Sequence, residues 1–237
     1  MFSSNKRILL FLFEENLLII DKFILNGIIS HDYLEYFSPE LSLVKNEKWC
    51  QQYQIANNME IEMDEIPENF YEKRKECQND NYICELIRKD LIEEFIIYVN
   101  KELYPLSSMI ESSIYETNSF LIKKFKFTLI EYAAFFGSIQ IFNYLRLNNV
   151  KLTPFLWFCA IHGRCEEMIH LLEENNVLPV KEIDKFYVDI YKESIKCHHN
   201  EFTNYFIDNY LQTQIEKSHD SLITCLEFYN FVFIPND

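Results

Sequence analysis

Three glycines and six prolines are very few for a chain of 237 residues. A sheet-rich or mixed α/β chain of this length needs many tight turns, which glycine and proline mostly supply. Phosphate-cradling loops need clustered glycines, whereas Gly27, Gly137 and Gly163 stand apart, so nucleotide motifs are absent. Long apolar runs are missing too. A membrane-crossing helix needs about 18 or more apolar residues in a row, and no such run occurs. The run Ile8 to Phe13 behind Lys6-Arg7 meets Glu14-Glu15 rather than a small-residue cleavage site, so it is not read as a signal peptide. Basic charge is also short: 22 Lys and Arg against 37 Asp and Glu leave a net charge of −15. Without a basic patch no nucleic-acid partner is expected, and an anionic membrane surface would repel the chain. Seven cysteines, an odd number without secreted-scaffold spacing, predict reduced thiols in the cytoplasm.

What is present is apolar: 49% of residues are hydrophobic, enough for one large core or two small ones. The stretch from Thr128 to Leu152 shows the arrangement most plainly. Ile130, Ala133, Ala134 and Gly137 recur at helical spacing and make a small apolar face that another helix can approach closely. Gly137 breaks that helix. Ile139, Ile141, Phe142 and Leu145 then form the apolar face of a second, which Asn148-Asn149 end, since asparagine tolerates a left-handed terminus.

The same unit returns. Placing Gly163 on Gly137 sets Leu156 on Ile130, Cys159-Ala160 on the Ala pair and Leu171 on Leu145. Further on, Ser194-Ile195 take the Ala pair and His198 the glycine, while upstream Arg88 marks a looser turn. Turns at 88, 137, 163 and 198 are unevenly spaced, yet the internal order holds each time. Recurrence at such lengths predicts an all-α helical-repeat solenoid, because one hairpin cannot cover its own apolar face.

Thr128, Ala133, Ala134 and Gly137 match the ankyrin pattern T-P-L-H-x-A-A-x-x-G, with Ile130 for Leu, Leu129 for Pro and Glu131 for His. The second copy supplies Pro154, Leu156, Ala160 and Gly163, with Trp157 in the His place. Over roughly 79 to 211 the chain resembles a large family of divergent ankyrin-like proteins of unicellular eukaryotes, catalogued as a domain of unknown function. That resemblance implies an ankyrin-like solenoid that binds other proteins and has no catalytic residues to carry over. It also implies a concave face formed by the end of each first helix and the preceding turn. Phe127, Phe135, Phe136, Ile161, His162 and Lys196 are then expected to line it, with Trp157 at its edge. Either Phe135 and Phe136 face that groove as anchors, or a neighbouring helix covers them.

Residues 1–75 read as an N-terminal helical region and 76–237 as the repeat domain. Within the first, 6–29 form one or two amphipathic helices with Asn16 as a break, and Pro39 stops a helical turn. The acidic segment 57–68, with five acids and no base, reads as a surface loop near the boundary. Residues 100–127 read as an insertion with a helical piece near Ser113 to Phe120 and the basic run Lys123 to Phe127, and Ser218 to Phe233 as a C-terminal capping helix.

Chemistry is harder to find. Cys159, His162 and Cys165 lie at three-residue intervals, but the repeat alignment puts both cysteines in packing positions. Cys197, His198 and His199 are consecutive and point apart on a helix. No metal site, cofactor or small-molecule substrate is expected. A Cys-His nucleophile pair lacks an identifiable third group, and the Glu-Glu pairs suit solvated helix faces. The reading is a non-catalytic scaffold with an unidentified protein partner. The alternative is an enzyme or regulator whose activity resides in residues 1–75.

Overall fold

The structure, a computed structural model, describes residues 5–58, 66–123, 126–179, 181–211 and 219–234. Among them all regular structure is helical, there is no strand, and Met109 and Thr128 form an isolated β-bridge. No described helix is long and apolar enough to cross a membrane. The chain divides into one unit of Met1–Asn81 with Glu111–Lys126 and another of Tyr82–Ile110 with Phe127–Asp237. Residues 111–126, assigned from the sequence to the repeat domain, therefore fall in the first unit.

In the first unit α1 (Lys6–Glu14), α2 (Lys22–Ser30), α3 (Ser38–Val44), α4 (Lys48–Ala56) and α5 (Phe70–Glu76) are followed, after the excursion through 82–110, by α8 (Ser119–Lys123). Asn5 and Asp21 cap α1 and α2 with their side chains. Asn16 is left-handed, as a break requires. Pro39 behaves differently from expectation: it sits in the first turn of α3 and opens the helix, where a missing N–H costs nothing. Leu9, Leu25, Ile28, Phe37, Leu41 and Cys50 form the centre of this core. Arg74 is buried with its guanidinium forked onto the Glu40 carboxylate and bonded to the Tyr36 carbonyl. The helical piece expected near Ser113 to Phe120 lies later, at Ser119–Lys123, and most of the acidic segment 57–68 lies outside the described residues.

The second unit contains four helix pairs: α6 (Tyr82–Arg88) with α7 (Ile92–Lys101), α9 (Leu129–Phe136) with α10 (Ile139–Leu147), α11 (Phe155–Gly163) with α12 (Glu166–Glu174), and α13 (Ile183–Lys196) with α14 (Asn200–Phe206). All four close with one backbone turn. Asp90, Gly137, Arg164 and His198 are left-handed, with φ of 50°, 66°, 59° and 55°. One residue later an N–H bonds a carbonyl five residues back: Leu91 to Leu86, Ser138 to Ala133, Cys165 to Ala160 and His199 to Ser194, at 2.9–3.2 Å. This Schellman geometry satisfies carbonyls at the end of the first helix and turns the chain into the second. Asn149 is left-handed too, and ends α10 as expected.

The turn fixes the register. Ala133 corresponds to Ala160 and Ser194, so the turn positions are 90, 137, 164 and 198, rather than 88 and 163 for the first and third pairs. Gly163 is the last residue of α11, not its turn. A Cβ there would lie 1.7 Å from the Phe135 carbonyl oxygen. Its absence lets α11 meet the α9 backbone. The first helices pack in succession, α6 on α9, α9 on α11 and α11 on α13. Between the first two pairs, the Asp90 carboxylate accepts from the N–H groups of Gln140 and Ile141, both at 3.0 Å. After a π-helical turn at Ile207–Leu211, α15 (His219–Glu227) packs on α13.

Candidate functional site

Helix α9 is buried all round from Leu129 to Phe135, its one acid, Glu131, being taken up in a capping box with Thr128. Such a helix has no face left for a partner. Phe135, at 6% exposure, is core, as are Phe127, Trp157 and Ile161. Trp157 is held between Phe186 and Phe206 and donates its indole N–H to the Val177 carbonyl at 2.7 Å. Phe127, Trp157 and Ile161 correct the expectation of an aromatic groove, whereas Phe135 takes the second of its two expected arrangements, covered by its neighbours. The neighbouring helices cover them because α9 and α11 are the inner members of their pairs. Phe136 is half-buried against Tyr132 and Phe135.

The remaining two, His162 and Lys196, come together. His162 lies in the last turn of α11. Glu193 and Lys196 lie in the last turn of α13, with Cys197 as its C-cap. Glu193 and Cys197 are four residues apart and so share one side of the helix. The His162 Nε2 is 2.6 Å from Glu193 Oε1, and Lys196 Nζ lies 3.2 Å from both Glu193 oxygens. Cys197 Sγ is 3.5 Å from His162 Nδ1 and 3.6 Å from Nε2. Solvent reaches the cluster, since the side chains of His162 and Glu193 keep 19% and 17% exposure. Among the described residues this is the one His, Cys, Asp and Glu group compact enough to hold a metal ion. Cys159 and Cys165 do not join His162 in it.

Burial pushes the Glu193 carboxyl up, but hydrogen bonds from His162 and Lys196, with their charge, outweigh it and hold the pKa below the ordinary value. Burial, reinforced by the Glu193 charge, pushes the Cys197 thiol up to about 12. A nucleophilic cysteine needs the opposite. A sulfur equidistant from both ring nitrogens also lies on neither lone-pair axis, so His162 is not aimed to take its proton. The cluster has the residue types of a Cys-His-Glu triad without its alignment.

A second polar knot ties α12 to the end of the fourth pair. Tyr205 donates to Glu173 Oε1 at 2.6 Å, and Tyr210 donates to the same oxygen. Burial first, then the hydrogen bond and charge of Glu173, raises Tyr205 to about 12 and moves Tyr210 in the same direction.

Glu193 is the member of the cluster that sequence reading misses. It is separated from His162 by 31 positions, and only the packing of α11 on α13 joins them. Comparisons with protein-family models, curated proteins and solved structures find no match to this chain.

Proposed function

We propose that the chain is a non-catalytic, cytoplasmic protein-interaction scaffold, its second unit an ankyrin-like solenoid closed by α15. The observation that carries this reading is the turn shared by four successive helix pairs, with first helices packed one on the next. Stacked pairs of this kind present a long side to a partner while each contacts only its neighbours. The partner surface is the accessible remainder of the expected set, namely Phe136, His162 and Lys196 at the ends of first helices. Buried neighbours hold those ends rigid, which lowers the ordering cost of binding.

An activity in the first unit has less support. Its most perturbed cation is Lys6, which burial lowers to about 8. The ammonium donates to the carbonyls of Ile114 and Glu116 and lies over the rings of Tyr33 and Tyr36. With 5% exposure it is spent on the fold and not directed at a substrate.

The test is capture from cell lysate by the wild-type chain, compared with a Phe136→Ser, Lys196→Glu double variant whose circular dichroism and melting are unchanged. Loss of specific partners in the variant supports the surface. Identical partners on a folded variant remove it.

A further inference from the structure

We propose that His162, Glu193 and Cys197 form a three-ligand site for a borderline divalent cation, zinc foremost. Their ligand atoms lie within 4.8 Å of one another. The site stands whether or not the array binds a protein.

Bond lengths of about 2.1 Å to nitrogen and 2.3 Å to sulfur at a tetrahedral angle put the two ligands about 3.6 Å apart. Cys197 Sγ and His162 Nε2 are 3.6 Å apart. The same arithmetic asks for about 3.4 Å between nitrogen and carboxylate oxygen. Nε2 and Glu193 Oε1 are 2.6 Å apart, the length of a hydrogen bond, so the ion enters by replacing the proton between them. A rotation of Glu193 provides the room, and the His162 ring turns with it, because Cys197 Sγ now lies equidistant from both ring nitrogens and off the Nε2 lone-pair axis that must face the ion. Two ligands come from one helix side at i and i+4, and the third from a helix packed against it. Thiolate and imidazole together select zinc or cobalt over magnesium and calcium, which prefer all-oxygen shells. The partial exposure of His162 and Glu193 leaves a fourth position for water.

The protons balance simply. Cys197 gives its thiol proton to solvent as the sulfur–metal bond forms. His162 coordinates through Nε2 with a proton on Nδ1, the proton that Nε2 shares with Glu193 passing to solvent, and Glu193 binds as a carboxylate. The thiol proton and that shared proton leave for each ion, and nothing is oxidised. Thiolate and carboxylate neutralise the two charges of the ion. Lys196 is the resident competitor: it holds both Glu193 oxygens at 3.2 Å, yet its side chain is 42% exposed and has room to swing away.

The full chain, reduced and stripped with chelator, is titrated with Co²⁺. We expect one equivalent to produce sulfur-to-cobalt charge-transfer absorption and intense tetrahedral visible bands, which Zn²⁺ abolishes and Mg²⁺ does not. Cys197→Ser removes the charge-transfer band, and His162→Gln and Glu193→Gln each weaken binding at least tenfold. Lys196→Gln tightens binding severalfold, a gain that misfolding does not mimic. A wild-type chain without the charge-transfer band overturns the proposal. So does a band that survives Cys197→Ser, or an affinity indifferent to His162→Gln in a protein of unchanged circular dichroism.

Discussion

Gly163 lies against the backbone of Phe135 so closely that a Cβ on it would stand 1.7 Å from the Phe135 carbonyl oxygen and 3.2 Å from its Cα. Atoms of the main chain cannot rotate aside, so any side chain at 163 forces α11 away from α9. Overpacking costs about 1–3 kcal/mol or more, against a gain of about 1 kcal/mol for alanine over glycine in a helix. Gly163→Ala is expected to destabilise the chain by about 1 kcal/mol or more net, read by urea or thermal unfolding. A neutral or stabilised variant would mean that the helices do not meet there.

The equivalent turn positions carry glycine in one pair and arginine in the next. Arg164 holds φ 59°, and its side chain is exposed. A left-handed L-residue costs about 1 kcal/mol. Arg164→Gly is therefore expected to stabilise by about 0.5 kcal/mol, the remainder being offset by the looser unfolded chain. Gly137→Ala goes the other way by about 1 kcal/mol or more, because φ is 66° and the new Cβ meets Cys165 Sγ at 2.9 Å. Paired melting curves give both signs.

Asp90 joins two helix pairs through its carboxylate. Removing it leaves the N–H groups of Gln140 and Ile141 without that partner. Asp90→Ala should cost about 1–2 kcal/mol, and Asp90→Asn less, since asparagine both caps and tolerates the left-handed turn. Amide exchange at Gln140 and Ile141 should quicken in the alanine variant ahead of the rest of α10.

Alkali should loosen the knot on Glu173. Tyr205 has a folded pKa of about 12 against an ordinary value near 10, so above pH 10 the folded chain retains a proton that the unfolded chain loses. Stability from this group is present below pH 10 and falls as pH rises to 12. The upward shift of Tyr210 adds to the same slope. Tyr205→Phe and Tyr210→Phe are each expected to flatten stability against pH between 10 and 12. An unchanged slope in both would contradict the shared carboxylate contact.

Scarcity of glycine and proline, with apolar residues at helical spacing, is enough to read helices, and Asn149 marks a turn at the right place. The role of Gly163 is not readable, because sequence does not say whether a glycine serves a left-handed turn or a close approach. Phe135 and Trp157 are core for a reason that is visible: α9 carries one acid, Glu131, α11 carries none, and a helix apolar all round is buried. Glu131 itself, a departure from the ankyrin pattern, closes the capping box with Thr128. His162 and Glu193 stay unconnected in the sequence because no spacing rule links residues that only two packed helices bring together.

The first unit is stitched from two stretches of chain, and the bond from Lys6 to the Ile114 carbonyl reaches across 108 positions. During synthesis α1 therefore leaves the ribosome long before the Lys6 ammonium finds the carbonyls to which it donates. Lys6 must wait while the pair α6 and α7 is made and passed. A fragment of residues 1–81 lacks those carbonyls, and expressing it by itself should yield an aggregation-prone product until residues 111–126 are supplied.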